Sequence, residues 1–558
     1  MRNLFPILFF GLFLLFFLSH CANPRPLVGG KKDETPPKLD SNSYSTPNKS
    51  LNFKDKEIIL TFDEWVQLDQ NKILISPPMA QKPDFKIKHK SLVIKFKDTL
   101  RENTTYTINL SDGIKDYTEN NMVKNMKFVF STGDFLDSLQ IKGQIIDALT
   151  SQPKNNILIM LYNSLQDSVP CLQKPLYLAR TDEQGMFSIE NVKSDSFKIF
   201  ALSDKNNNLL FDQANEEIAF IPNNFLLTDS SQPTLKMRLF APQALAKVQN
   251  SKFIHQNLIR VGFNQNILQK IDIQPISDNF KILKTEQSGD SALIFIQQQA
   301  KNADKLSFII KYANQDRIDT ASLTFSSTLD TLPKIKFAEA AKNKAAKTAK
   351  NAEPKQNPAN SHQLIFNLPI TEWDSSRILL YQDTNKISAS FSLKQTAERV
   401  FNLQTSWQSV DYQLVILPNA LKNCYGENNQ DTIIKKISVA KLEEFGNLKL
   451  KIVNIDSIKS ENYLLQLIRD KTDVVVEKKF NSQNKSSMEL DFSNLETGSY
   501  FVRIITDSNL NGRWDTGDYW QKTQPESVFN SNSVSIRANW DNELQIDFNP
   551  PAKGKKQK

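Results

Sequence analysis

Lys56–Glu64, KEIILTFDE, decides the fold class of this chain, because its side chains alternate between apolar and polar. Ile58, Leu60 and Phe62 fall on one face when the stretch is extended. The same period of two recurs in SLVIKFK at 91–97, TYTINL at 105–110 and MKFVFS at 126–131. Such alternation, rich in β-branched and aromatic residues, is typical of half-buried antiparallel strands. Several short strands within about 100 residues predict a β-sandwich.

The chain as a whole is predicted to be all-β, a multidomain string of β-sandwiches. At 558 residues it is too long for a single core. The predicted segments are a signal peptide at 1–20, a tether at 21–35, β-sandwiches at 36–133, 136–242 and 243–332, an Ala/Lys-rich linker at 333–361, β-sandwiches at 362–440 and 444–549, and a basic tail at 550–558.

The net charge of +8 is concentrated in two short segments. The stretch 334–355 contains seven Lys and two Glu, and the tail 550–558 contains four Lys. The rest of the chain is therefore close to neutral. A protein that reads a nucleic acid carries its basic residues on a folded face. Because these residues lie in a predicted linker and tail, we expect no nucleic-acid partner.

The sequence lacks the signatures of a catalytic site. Three cysteines in so long a chain cannot form a disulfide framework, and Cys171 and Cys424 are expected to be free, partly buried thiols. The four His are scattered, and no nucleophile elbow, phosphate-cradling glycine loop or HExxH motif occurs. We therefore expect no enzymatic activity. The alternative is a polysaccharide-acting enzyme or enzyme accessory with paired carboxylates in the unassigned region 243–440, since such pairs leave no sequence motif.

The first 21 residues, MRNLFPILFFGLFLLFFLSHC, indicate an export signal. Arg2 precedes an apolar run from Leu4 to Leu18 that is too short and too terminal for a spanning helix. The run ends in Leu-Ser-His-Cys, which resembles the lipobox of bacterial lipoproteins, with His20 in place of the usual small residue. The resemblance implies cleavage before Cys21 and a membrane anchor of acyl chains on that residue. The alternative is a secreted protein in which this cysteine occurs by chance.

The residues after Cys21 bear on the side of the membrane. Ala22 stands where an aspartate retains lipoproteins in the inner membrane, so the sorting rules of such proteins favour the outer membrane. The acidic cluster that marks surface export in Bacteroidota lipoproteins directly follows the cysteine, whereas the first acids here are Asp33 and Glu34. The resemblance therefore implies an outer-membrane lipoprotein that faces the periplasm, with surface exposure as the alternative.

Two sandwiches resemble known domain families. IILTFDEWVQLD from Ile58, LRENTTYTINLSDGIKDYTENN from Leu100 and FVFSTGD from Phe128 together resemble the S-layer-type bacterial Ig-like domain of Bacteroidota envelope proteins. That resemblance implies a sandwich without catalytic residues. IKGQIIDALTSQP from Ile141 and TDEQGMFSIENV from Thr181 resemble the carboxypeptidase-regulatory-like or transthyretin-like sandwich. The chain is thus expected to be a string of Ig-like and transthyretin-like sandwiches.

One unit of the chain is repeated. FSIENVKSDSFKIFALSDKNNNLLFD at 187–212 aligns without a gap with LDFSNLETGSYFVRIITDSNLNGRWD at 490–515, at a constant offset of 303 residues. The apolar positions match along the strands, and the Asx-rich loops that follow match as well. The repeat indicates duplication of a strand followed by an Asx loop. The sandwich at 444–549 is therefore predicted to be a second regulatory-like sandwich.

The second loop, DSNLNGRWDTGD at 507–518, has oxygen-bearing residues at the spacing of a calcium loop. An EF-hand loop supplies oxygens from places 1, 3, 5, 7, 9 and 12, with Gly at place 6. Here Gly512 stands at place 6, and the candidate ligands of a structural Ca²⁺ are Asp507, Asn509, Asn511, the Arg513 carbonyl, Asp515 and Asp518. The alternatives are an Asx-rich turn whose side chains cap their own backbone, and a loop that reads a ligand.

The first loop is a weaker copy of the same pattern. Its candidate ligands are Asp204, Asn206, Asn208 and Asp212. Leu209 replaces the glycine at place 6, and Asn215 stands at place 12. A carboxylate closes this loop only if the loop shifts to Glu216 or Glu217.

Three aromatic residues, Trp514, Tyr519 and Trp520, lie in or beside the second loop. They are expected to pin the loop to the sandwich core, and stacking on a sugar ring is the alternative. The sequence as a whole predicts a lipid-anchored, non-catalytic envelope protein that presents sandwiches to a protein or glycan partner. No cofactor other than structural calcium is expected.

Overall fold

The structure, a computed structural model, describes residues 33–40, 45–124, 126–229, 233–243, 245–267, 269–313, 317–338, 355–382, 387–455, 461–483 and 486–548. Several predicted features lie outside the described residues: the signal peptide at 1–20, the lipidation residue Cys21, nearly all of the tether at 21–35, the middle of the linker at 333–361 and the tail at 550–558.

Strands make up 51% of the chain, which confirms the predicted all-β fold. Within the described ranges, the α-helical content is the single turn α1, Val169–Leu172. Short 3-10 turns lie at Gln70–Lys72, Ser375–Arg377 and Leu442–Glu444. In that same part of the chain, no helix is long and apolar enough to cross a membrane.

The chain divides into two compact units. The first consists of the described residues up to Ile146 together with Pro153–Leu239, and it contains two sandwiches. The second consists of Asp147–Gln152 together with the described residues from Phe240 onward, and it contains three sandwiches. Each sandwich has a hydrophobic core formed by alternate residues of its strands.

The first sandwich contains the strands in which the period of two was found. Ile58, Leu60 and Phe62 are buried in its core, as the alternation predicts. Its strands pair antiparallel in the orders β1–β5–β4, β2–β7 and β3–β6–β8. Their bounds are β1 Glu57–Thr61, β2 Val66–Leu68, β3 Leu74–Ser76, β4 Asp84–Lys88, β5 Ser91–Lys95, β6 Thr105–Asn109, β7 Ile114–Asp116 and β8 Lys127–Ser131.

The second sandwich has a five-stranded sheet facing a three-stranded one. The larger sheet has the order β11–β10–β13–β14, with β15 also paired to β13, and the smaller has the order β12–β9–β16. The bounds are β9 Leu139–Asp147, β10 Leu158–Tyr162, β11 Tyr177–Arg180, β12 Met186–Val192, β13 Asp195–Leu202, β14 Ile218–Phe220, β15 Phe225–Leu227 and β16 Thr234–Leu239. All five residues of β10 are buried, so both faces of this strand are covered.

The third sandwich pairs a four-stranded sheet, β17–β18–β21–β20, with a three-stranded sheet, β19–β22–β23. The bounds are β17 Val248–His255, β18 Leu258–Phe263, β19 Ile271–Pro275, β20 Phe280–Ser288, β21 Ser291–Gln298, β22 Lys305–Tyr312 and β23 Ile318–Thr324. Strand β22 shows the period of two without interruption, since Leu306, Phe308 and Ile310 are buried.

The fourth sandwich has sheets in the orders β27–β26–β30–β32, β24–β29–β28 and β25–β31. The bounds are β24 His362–Ile365, β25 Ile370–Trp373, β26 Ile378–Gln382, β27 Ile387–Ser388, β28 Ser392–Ala397, β29 Val400–Gln404, β30 Asp411–Ile416, β31 Leu421–Asn423 and β32 Ile433–Ser438. Its core also takes in Leu258 and Phe295 of the third sandwich. Arg399 forms an ion pair with Glu286 across the same junction.

The two ends of the predicted linker pack on the fourth sandwich. The ring of Phe337 stacks on Phe366 with centroids 5.0 Å apart, and Gln356 forms a parallel bridge to Val439. One aromatic side chain within a Lys-rich stretch therefore extends the hydrophobic core of the sandwich.

The fifth sandwich has a five-stranded sheet, β35–β34–β37–β38 with β39 also on β37, and a three-stranded sheet, β36–β33–β40. The bounds are β33 Gly446–Val453, β34 Asn462–Arg469, β35 Asp473–Asn481, β36 Ser487–Leu495, β37 Gly498–Thr506, β38 Val528–Asn530, β39 Val534–Ile536 and β40 Asp541–Asp547. Strand β33 pairs antiparallel with β36 and parallel with β40.

Candidate metal centre

The repeated unit occupies the same place in the second and fifth sandwiches. Strands β13 and β37 are central in sheets of the same order, and a loop connects each to the next edge strand, β14 or β38. Leu202 pairs with Ile218 in the second sandwich, and Ile505 pairs with Val528 in the fifth. The strand pairing therefore shifts the offset from 303 residues before the loops to 310 after them. The second loop contains a seven-residue insertion relative to the first.

The backbone of the second loop is held by its own Asx side chains. Asn509 Oδ1 accepts the N–H of Asn511, and Asn511 Oδ1 accepts the N–H of Arg513, each at 3.0 Å. Leu510 and Gly512 have positive φ angles of 64° and 75°. These turns wrap the loop around the carboxylates at its two ends.

Asp515 collects side-chain donors at one end of the loop. Its Oδ2 accepts the amide Nδ2 of Asn509 at 2.5 Å and that of Asn511 at 2.7 Å. Its Oδ1 pairs with Arg513 Nε at 3.3 Å. The predicted residues at places 3, 5 and 9 are thus brought together, and Arg513, at place 7, meets Asp515 through its side chain.

Asp518, at the predicted place 12, lies in a separate turn. Its main chain exchanges two hydrogen bonds of 2.9 Å with Thr523, and its Oδ1 accepts the N–H of Gln521 at 2.9 Å. The structure does not bring this carboxylate to the loop. The insertion that follows Asp515 carries Asp518 into this turn.

Glu526, which the sequence reasoning missed, closes the loop in its place. Its Oε1 accepts the N–H of Ser508 at 2.7 Å, and its Oε2 accepts the N–H of Asp515 at 3.1 Å. Burial raises the pKa of Glu526, and the nearby charges of Asp515 and Asp507 raise it further, against the two N–H donors that lower it. The carboxylate spans the neck of the loop and ties its two ends together.

Asp507, at place 1, is the most enclosed of the predicted ligands. Only 2% of its surface is exposed. Its Oδ2 accepts the N–H of Gly512 at 2.9 Å. Its Oδ1 is buried and has no hydrogen-bond partner. Because Oδ2 of the same carboxylate accepts a main-chain N–H of the loop, Asp507 lies against the loop, and solvent does not reach its Oδ1.

The first loop has the same frame and satisfies its carboxylates from its own backbone. Glu216 is fully buried and accepts three N–H groups, from Lys205 at 3.1 Å, Asp212 at 3.0 Å and Gln213 at 3.1 Å. It corresponds to Glu526 at the offset of 310 residues. The loop therefore shifts to Glu216, as the sequence reasoning required for closure by a carboxylate.

Asp204, which corresponds to Asp507, differs from it in both exposure and partners. It is half-buried, its Oδ2 accepts the N–H of Leu209 at 2.9 Å, and its Oδ1 accepts that of Asn208 at 3.3 Å. The Asn208 N–H is shared with Asn206 Oδ1 at 3.2 Å. Both oxygens of Asp204 thus have a donor. The amides of Asn206 and Asn208 donate to Asp212 at 3.1 and 2.7 Å, as their counterparts do to Asp515.

The aromatic residues of the second loop divide between packing and exposure. Trp514 is half-buried and its Nε1 donates to the Glu526 carbonyl at 3.2 Å. Tyr519 is buried, whereas Trp520 is 64% exposed, with the two ring centroids 5.2 Å apart. Two of the three rings therefore anchor the loop, and Trp520 presents its indole to solvent.

The described part of the chain has few other candidate metal-binding or catalytic groups. Within it, no group of three or more Asp, Glu, His or Cys side chains is placed to hold a metal ion through those groups alone. His89, His255 and His362 belong to three different sandwiches. Cys171 and Cys424 are free and half-buried, as expected.

The region 243–440, where an enzymatic site was the alternative, contains a shallow cleft of about 280 Å³. Lys334 and Asp431 line it and form an ion pair of 2.7 Å with each other. Its other ionisable group is Glu427, beside the amides of Asn423 and Asn429. The cleft therefore offers a cation already neutralised by its partner and a single further carboxylate.

Two parts of the chain match known domain families. Residues 33–132 match the bacterial Ig-like domain, which confirms a domain of this family in the first sandwich, whereas its S-layer type stays a prediction. Residues 448–512, from β33 through the start of the second loop, match the secretion system C-terminal sorting domain. Neither match covers half of the chain. No similar protein was found among curated sequences.

Solved structures give distant similarities. The major pilin subunit BcpA of Bacillus cereus is 9% identical over 73% of this chain and 98% of its own, with a TM-score of 0.13. The Bacillus anthracis TIE protein is 8% identical over 94% of this chain and 76% of its own, with a TM-score of 0.14. TM-scores this low carry no information about a shared function. The two family matches, by contrast, indicate a secreted or cell-surface protein of the Bacteroidota type, and its Ig-like domain suggests a non-catalytic role.

Proposed function

We propose that this chain is a non-catalytic protein of the bacterial cell surface, held by a lipid at Cys21, that presents its sandwiches to a protein or glycan partner. The observation that carries the proposal is the Ig-like match at 33–132 on a chain whose described residues are packed as a series of sandwiches. Domains of this kind serve as spacers and binding surfaces because their cores are filled and their faces are free to vary.

The ionisable groups with shifted pKa values support a structural role. A catalytic site gathers such groups in a cleft, whereas the group around Asp319 is paired within a single sandwich. Tyr312 donates its O–H to Asp319 at 2.7 Å, and Arg317 pairs with the same carboxylate at 3.0 Å. Burial raises the pKa of Asp319. The N–H of Val248 and these donors outweigh burial and leave the pKa lowered. Such a pair fixes strands and offers no reactive group to a substrate.

Two sequence features bear on where the protein is located in the cell. The lipobox resemblance at Cys21 favours anchoring, and the sorting-domain match at 448–512 favours transport across the outer membrane by a type IX secretion route. A lipid-anchored protein exposed at the surface accommodates both. The periplasmic orientation, expected from the residues after Cys21, is the competing arrangement.

The test is surface proteolysis of intact cells, compared for the natural protein and Cys21→Ala. We expect a protease that cannot enter the cell to digest the natural protein, and the variant to leave the membrane fraction. A periplasmic reporter in the same cells, expected to stay intact, controls for leakage. Protection of the natural protein from the protease would contradict surface exposure, and membrane association of Cys21→Ala would contradict the lipid anchor.

A further inference from the structure

We propose that the second loop is a calcium site, formed by the carboxylates of Asp507 and Asp515, the amide oxygens of Asn509 and Asn511 and the Arg513 carbonyl. Glu526 is the brace that holds this site closed and is not itself a ligand. The proposal goes beyond the surface role and does not depend on it.

The buried oxygen of Asp507 is the first reason. An ionised carboxylate that loses its water is destabilising unless donors or a cation replace that water. Asp507 is 2% exposed, yet only one N–H, from Gly512, reaches it, and Oδ1 has no partner. A cation beside Oδ1 supplies the missing interaction.

The chemistry of the surrounding groups selects the ion. Ca²⁺ takes six to eight oxygens, including amide and main-chain carbonyl oxygens. The Oδ1 atoms of Asn509 and Asn511 each accept one N–H and keep a second lone pair. With the Arg513 carbonyl and the carboxylates of Asp507 and Asp515, the loop supplies oxygen ligands alone. No thiol or imidazole lies among them, which disfavours zinc and other softer metals.

Two cationic side chains approach the loop without completing it. Arg513 Nε lies 3.3 Å from Asp515 Oδ1. The ammonium of Lys479 lies beside Gly512, where an added Cβ would be 2.2 Å from Nζ. Neither comes within hydrogen-bond distance of Asp507 Oδ1. Lys479 is therefore a local positive charge that opposes a cation, and its removal is expected to tighten calcium binding.

The first loop provides a matched comparison within the same molecule. Both oxygens of Asp204 have N–H donors, and this residue is half-buried, so that water also reaches it. Its carboxylate at the neck, Glu216, is fully buried and accepts three N–H groups. We therefore expect one calcium ion per chain, at the second loop.

The test is hydrogen exchange of the full chain, followed by mass spectrometry, in CaCl₂ and in EDTA. Calcium is expected to slow exchange in peptides that cover 507–527 and to leave peptides that cover 204–217 unchanged. Calorimetric titration with CaCl₂ is expected to give one site. No calcium effect on exchange at 507–527, or an equal effect at both loops, would overturn the proposal.

Two matched substitutions separate a ligand from a merely structural acid. Asp507→Asn keeps an acceptor for the Gly512 N–H and removes the charge, so it is expected to weaken calcium binding by more than about tenfold. Asp204→Asn, the same change in the first loop, is expected to bind calcium as the natural protein does. Equal calcium affinity of Asp507→Asn and the natural protein would refute the assignment.

The EDTA arm keeps the test informative if Asp507→Asn affects folding. Without calcium, the natural protein buries an uncompensated anion and the variant does not. Exchange at 507–527 is therefore expected to be slower in the variant than in the natural protein in EDTA, and faster in CaCl₂. A purely structural Asp507 would make the variant faster in both. The inversion of order is the signature of a metal ligand.

Discussion

The loops after β13 and β37 share one frame and differ in how their carboxylates are satisfied. In the first loop, every oxygen of Asp204 and Glu216 accepts a main-chain N–H. In the second, Glu526 closes the neck in the same way, but Asp507 Oδ1 is buried without a partner. One loop is satisfied by its own backbone, and the other leaves an anionic oxygen unmatched.

The comparison teaches that residue type alone does not separate an Asx turn from a cation loop. Both loops have Asp or Asn at places 1, 3, 5 and 9. The two loops differ in the number of N–H donors that reach the carboxylate at place 1 and in the exposure of that carboxylate to water. Asn208 and Leu209 reach Asp204, whereas Gly512 alone reaches Asp507.

The largest effect is expected at the neck of the first loop. Glu216→Ala leaves three partly buried N–H groups without an acceptor, and each such loss costs about 1–3 kcal/mol. We expect the free energy of opening of the loop, from hydrogen exchange at 203–217, to fall by about 3–5 kcal/mol. Glu526→Ala is expected to cost less at its own loop, because Glu526 is half-buried whereas Glu216 is fully buried. Glu217→Ala is the control, because its ion pair with Lys154, whose side chains are 28% and 27% exposed, is expected to contribute only about 1 kcal/mol. Equal losses at both necks would break the comparison.

A fully satisfied carboxylate in the first sandwich extends the comparison to pH. Asp116 is 1% exposed and accepts four main-chain N–H groups, from Thr118, Glu119, Asn120 and Asn121. Burial raises its pKa, but the four donors outweigh burial and leave the pKa lowered. The stabilisation is therefore present above the ordinary value of 3.8 and is lost as the pH falls through the lowered value in the folded protein.

Asp116→Asn is expected to lower the free energy of unfolding of this sandwich by about 2 kcal/mol at neutral pH, because one N–H loses its acceptor. Below pH 3.8, the free energy of unfolding of the variant is expected to fall less steeply with pH than that of the natural protein. Acid titration of the exchange rates at 105–131 measures this. Asp134→Asn, at an exposed position, serves as the control. A variant with an unchanged acid transition would show that Asp116 does not carry it.

The smallest effect concerns the backbone of the two loops. Leu510 has a φ of 64° and is 64% exposed, whereas its counterpart in the first loop is Asn207, with a φ of 56°. Asn tolerates this left-handed region better than Leu. Leu510→Asn is expected to stabilise the second loop by about 0.5–1 kcal/mol, and Asn207→Leu to destabilise the first by a similar amount. Exchange rates in the two loops, compared in EDTA, measure both changes.

The strands and the repeat were predicted well from the sequence, because both produce patterns among residues that are close together in the chain. Burial of Ile58, Leu60 and Phe62 follows from a period of two. The ungapped alignment also located both loops as far as Asp212 and Asp515. Beyond those residues the alignment stops, since the insertion shifts the register by seven residues.

The role of Glu526 and the hydrogen bonding of Asp507 could not be predicted from the sequence, for a physical reason. A loop template counts places along the chain, so it selected Asp518, which the insertion carries into a separate turn. Strand pairing after the loop is what identifies Glu526 with Glu216. Whether an N–H reaches Asp507 Oδ1 depends on distances of a few tenths of an ångström, and composition does not encode them.

The parallel pairing of β33 with β40 has a consequence for export. Asn447 and Asp541 are 94 residues apart in sequence yet adjacent in the sheet. A chain that crosses a membrane from its amino terminus delivers β40 after every other strand of the fifth sandwich, so β33 keeps an unpaired edge until then. Pairings this distant in sequence also form slowly. The domain that carries the sorting match is therefore expected to complete its sheet last.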